Sequence, residues 1–96
     1  MTTDRYPKMT ALCATLPSLH GQPGTAPFDA EALHQWLLTS GARTSGNAAA
    51  VAFVLAVFNE LAWREKLPFF VGDALAVWDR AHREAFVRWA SEPWWP

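Results

Sequence analysis

The chain is poor in cysteine, in charge and in long uninterrupted apolar runs. One cysteine, Cys13, occurs in 96 residues. It can form no disulfide within the chain. That excludes a cystine-stapled scaffold and predicts a reducing compartment, the cytoplasm by default. Charged residues make up 18% of the sequence, against about 25% in an ordinary soluble domain. Eight Lys and Arg are interleaved with nine Asp and Glu, giving a formal charge of −1 and a sequence pI near 6.2. Phosphate binding needs a basic stripe, and the scattered cations form none, so nucleic acid is not an expected partner. The longest unbroken apolar run, residues 48–58, has eleven residues. A spanning helix needs about 20, so the run predicts a buried core helix and no membrane partner. The opening Met1-Thr2-Thr3-Asp4-Arg5 has no apolar stretch after a basic start, and no secretory signal is expected.

Chemical motifs are equally scarce. The three histidines, His20, His34 and His82, stand in no HExxH frame, and no second cysteine completes a zinc knuckle. Neither a Gly-x-Ser-x-Gly elbow nor a Gly-x-x-x-x-Gly-Lys phosphate loop occurs. The expectation is a protein without enzymatic activity, metal or cofactor.

Large apolar rings are abundant instead. Hydrophobic residues make up 51% of the chain and aromatic residues 14%, with six Trp and six Phe. That composition excludes a disordered tail. Each ring buries about 150–250 Å², and one small domain has little interior to hold so many. Some aromatic surface is therefore expected outside the core, or under another chain.

Periodicity places four helices. Met9, Leu12, Cys13 and Leu16 share a helical spacing and predict a short helix over residues 8–16, ended by Pro17. Prolines and glycines make 17–28 a loop. Asp29 caps a helix over 29–40, with Leu33, Trp36 and Leu37 on its apolar side and Gly41 at its C-terminal cap. Thr44 and Ser45 offer caps to a third helix, apolar all round over 48–58 and stopped by Pro68. Leu75, Trp78, His82, Phe86 and Trp89 form the apolar stripe of a fourth helix over 73–90. Its charges pair four residues apart as Asp79 with Arg83, Arg80 with Glu84, and Glu84 with Arg88. The predicted fold is all-α: one domain over 1–96, a compact bundle of three main helices plus one short N-terminal helix around the central apolar helix.

The tail, Pro93-Trp94-Trp95-Pro96, places two indoles at a chain end. It spells the tetrapeptide that names PWWP modules, which are β-barrels of chromatin proteins. Four letters behind a helical pattern, with no strand alternation, carry no function across. Trp is the residue type most enriched in interface hot spots. Trp78, Phe86, Trp89, Trp94 and Trp95 are therefore the candidate partner-binding residues. The expected function is a small protein–protein interaction module, a homodimer or a small subunit of a larger assembly, with a protein partner, self or heterologous. The alternative is a regulatory protein binding a small molecule or an anion. It would use the 43–47 segment, where Arg43 and Ser45 precede a helix N-terminus, or a pocket near His82.

Overall fold

Short polar side chains decide where the helices begin. Asp29, Thr44, Asn59 and Asp79 each accept the backbone N–H three residues further on, from Ala32, Asn47, Ala62 and His82, at 3.0–3.2 Å. Each bond satisfies one of the amides that a helix N-terminus leaves without a carbonyl. A computed structural model describes residues 3–41 and 43–96. Among them are α1 (Pro7–Ala14), α2 (Ala30–Thr39), α3 (Ser45–Trp63), α4 (Val71–Val77), α5 (Arg80–Ser91) and one 3-10 turn (Pro17–Leu19). The described residues contain no strand, only an isolated bridge between Thr25 and Phe28. The chain is all-α.

Two of these caps interrupt helices that the periodicity predicts as continuous. Asn59 is extended (φ −163°, ψ 85°), so α3 is two pieces joined at a cap. The fourth predicted helix, 73–90, is also two. Trp78 leaves helical geometry (ψ 145°) and closes α4. Asp79, read from sequence as a partner for Arg83, instead caps α5. The ion pair Arg80–Glu84 forms as expected, and Glu60 pairs with Arg64 in the second piece of α3. At Gly41, φ is +74°, the left-handed geometry in which α2 ends without the Cβ penalty other residues carry.

The segment 17–28 is a loop anchored along its length. Leu19, Thr25 and Phe28 are buried within it. Gly24 has φ +81°, and a Cβ there would fall against the backbone of Asp29 and Leu33, so this crossing admits only glycine.

Residues 50–55 and Val57 of α3 are buried, with α1, the 3-10 turn, α2 and α4 packed against that helix. By length and composition alone α3 could cross a membrane. Here its middle is packed against the other helices, while Ala48 and Ala49 are half-buried and Leu61 is exposed. Phe53, in its middle, is 1% exposed and meets four other rings. The centroid distances are 5.4 Å to Phe69, 6.1 Å to Trp78, 5.3 Å to Phe86 and 5.5 Å to Trp89. Edge-to-face and tilted pairs of this kind are worth about 0.5–1.5 kcal/mol each beyond area burial. A second cluster, Tyr6, Phe28 and Phe58, joins the N-terminus to the loop and to α3.

Phe53→Ala is expected to cost about 3–5 kcal/mol in chemical denaturation, a large part of a typical total of about 5–15 kcal/mol. Burial pushes the Cys13 thiol up to about 12 from an ordinary 9.0. The folded group therefore stays protonated where the unfolded one ionises, and its contribution is full below pH 9.0 and falls as pH rises toward the folded value. Wild-type stability is expected to fall more steeply than that of Cys13→Ala across this range. At neutral pH the folded protein should leave an aromatic disulfide reagent unreacted until denaturant is added.

Candidate functional site

Three features lie where α4 and α5 meet the rest of the chain: a polar array, an aromatic end and an apolar helix face. The polar array is built on the α5 cap. His82 is buried, and its Nδ1 lies 2.7 Å from Asp79 Oδ1. Its Nε2 accepts the Ser18 N–H at 3.2 Å and lies 2.9 Å from Ser18 Oγ. Because Nε2 accepts from a backbone amide, the ring proton sits on Nδ1 and donates to Asp79. The ring N–H of His82, followed by its backbone N–H, holds the Asp79 carboxyl below the usual carboxylate range.

The atom order Ser Oγ, His Nε2, His Nδ1, Asp Oδ1 is that of a nucleophilic triad. Its surroundings do not support that chemistry. The Nε2 lone pair that would take the serine proton already binds the amide of the same serine. Pro17 has no N–H, and the amides of Leu19 and His20 donate to Leu16 and Pro17 carbonyls at 2.9 and 3.3 Å. No donor in this turn is left to face a developing oxyanion. The Asp79 side chain is 69% exposed, so water screens the charge that would steady an imidazolium. The array is a clamp that fixes the 3-10 turn to the first turn of α5. Sequence places Ser18 and His82 sixty-four residues apart, and no local pattern links them.

The five aromatic candidates divide by depth. Trp78 is 3% exposed and its Nε1–H donates to Gly46 O at 3.2 Å. It belongs to the core, because the extended backbone after α4 turns it back against Phe53. Phe86 and Trp89 are half-buried against the same ring. The tail folds back: Trp89 Nε1–H donates to Trp94 O at 3.1 Å, and Lys8 Nζ sits 5.5 Å from the Trp94 ring centre. Trp95 stands edge-on to Trp89 at 5.6 Å and remains 65% exposed. The surface available to a partner at this end is therefore Trp89, Trp94 and Trp95.

Sequence reasoning missed the third feature. α4 reads Val71-Gly72-Asp73-Ala74-Leu75-Ala76-Val77, and only Ala74 is buried. Val71, Leu75 and Val77 are exposed, as is Phe70 beside them at 61%. A groove of about 420 Å³ runs along the helix, floored by Ala48, Ala49 and Ala52 of α3. The signal was available in the composition: a seven-residue helix with one charge has more apolar residues than one buried face can hold. It was hidden because 73–77 reads as the first turn of a longer amphipathic helix.

Arg43 and Ser45 are exposed at the start of α3. The Asn47 amide that an anion would use there is taken by the Thr44 hydroxyl. No family model matches this chain, and neither does a curated protein or a solved structure.

Asp79→Asn keeps the cap but removes the charge. Because the folded carboxyl titrates below its ordinary 3.8, its contribution is present above that pH and is lost as pH falls through the folded value. Melting temperatures of the wild type and Asp79→Asn should therefore differ at pH 6–7 and converge in acid. Parallel curves would show that the charge plays no part in the clamp.

Proposed function

We propose that this protein is a small non-enzymatic protein–protein interaction module that docks through the apolar face of α4. It acts as a homodimer or as a small subunit of a larger assembly, in the cytoplasm. The scaffold is a bundle of helices around apolar α3, and its role is to present α4. One observation carries the reading: α4 has a single charged residue, Asp73, yet buries only Ala74.

Exposed apolar residues concentrated on one short helix are the kind of surface that marks a contact. Removing it from water is worth about 25 cal/mol per Å², and a standard interface covers about 800 Å² per partner. Phe70 and Val77 line an alanine-floored groove, and Val71 and Leu75 are exposed on the other side of buried Ala74. Exposed apolar side chains beside a groove suit a two-fold contact, in which α4 side chains of each copy enter the other's groove. The outer side of α5, with Arg80, Arg83 and Glu84, has the charge of an ordinary solvated face. Trp95 and its neighbours offer a second, smaller contact.

Phe70→Ser with Val71→Asp separates docking from folding. Serine is a better cap than phenylalanine, and an acid suits the first helical turn, so α4 is kept while two of its exposed apolar side chains are lost. Light scattering behind a sizing column is expected to give the wild type a mass of two chains that persists on dilution. The double variant should run as one chain with unchanged helical circular dichroism. A dimer that survives in the variant would place the interface elsewhere, and a wild type monomeric at all concentrations would overturn self-association.

A further inference from the structure

We infer that the groove between α1 and α5 binds a small apolar carboxylate. The flat hydrocarbon part lies against Trp89 and Trp94, and the carboxylate faces Lys8 and Arg88. The groove is about 310 Å³ and its lining includes these four side chains. That volume is at the lower end of the range of ligand cavities, about 300–1,000 Å³, and suits a two-ring molecule.

The groove exists because α5 is held against the body by large rings. Trp89 reaches inward to Phe53 at 5.5 Å. Between α1 and α5, the short side chains of Ala11 and Ala85 leave space open above buried Leu12. Trp89 is held through its Nε1–H by the Trp94 carbonyl and edge-on by Trp95. The indole wall is therefore in place before a ligand arrives, and the ordering that binding imposes falls on Lys8 and Arg88.

Charge selects the ligand class. Lys8 Nζ lies over the Trp94 ring. Arg88 forms no side-chain hydrogen bond or ion pair with any described residue. Glu92 is the one acid in the lining. The Thr15 hydroxyl, also in the lining, already donates to Leu12 O at 2.6 Å. Two cations against one carboxylate leave one positive charge, which a monoanion neutralises. A ring lying on indole faces and a carboxylate beside the cations meet both halves of the groove at once. This inference does not depend on the α4 interface, which uses other residues.

The probes are 2-naphthoate and its neutral counterpart 2-naphthylmethanol, titrated into the full chain labelled with nitrogen-15. The indole N–H resonances of Trp89 and Trp94 are expected to move, with that of distant Trp63 unmoved. Rim ion pairs are individually weak, so naphthoate should bind about tenfold more tightly than the alcohol. Lys8→Gln with Arg88→Gln should abolish that preference while alcohol binding remains. Trp94→Ala should weaken both. Equal binding of the two probes would overturn the inference, as would a preference that survives the double variant or shifts spread over all six indoles.

Discussion

The ring of Phe53 is the contact on which the C-terminal third depends. It projects from the middle of α3 into a space bounded by Phe69, Trp78, Phe86 and Trp89. Those four residues come from the segment before α4, the α4–α5 junction and α5 itself. One side chain therefore sets the position of everything that follows α3. The exposed side of α4, the clamp at His82 and the aromatic end all take their places from it. Two polar ties add direction: the Trp78 indole to Gly46 and the His82 ring to Ser18. Rings supply distance and area, and the hydrogen bonds choose one register among the packings that rings alone would tolerate.

The division between legible and hidden features follows the range of the interactions. Asp29, Thr44 and Gly41 were readable because a cap and a left-handed turn are local, and they flank clear changes of pattern. Asn59 and Asp79 use the same capping chemistry but stand inside patterns that continue across them. An aspartate with an arginine four residues later is an ordinary helix surface pair until the backbone is known, and the apolar period through Trp78, His82 and Phe86 is kept even though the helix is not. The side chains still face the core because the extended residue at 78 preserves their direction. Among the candidate residues, Trp94 and Trp95 stand out in the sequence as two indoles at a chain end. Which of them folds inward depends on a bond between Trp89 and the tail, which no spacing encodes. The α4 face was hidden by the assumption of one long helix.

Scarcity of charge connects the two surfaces proposed for contact. Most of the chain's cations lie at the N-terminal end, on α5 or around the second piece of α3. The region from Leu67 to Trp78 has only Asp73. Such a distribution divides labour: α5 presents a charged, hydrated side, while α4 presents exposed apolar side chains. The α1–α5 groove is different in kind, since its walls are aromatic but its rim carries opposite charges.

The manner in which α5 is attached has a consequence for motion. It buries only His82 and Ala85 along its length, and it adheres through rings and one clamp where α3 is enclosed by backbone on several sides. Elements with few buried residues open at lower free energy than the body they rest on. Amide protons of α5 will therefore exchange with solvent deuterium through a partial opening, in which α5 lifts away while α1 to α3 stay folded. Amides in the middle of α3 will wait for the whole chain to unfold. The protein behaves as a stable N-terminal two-thirds carrying a more easily opened C-terminal flap, and whatever binds beneath or beside that flap will slow the exchange of its amides by stabilising the closed form.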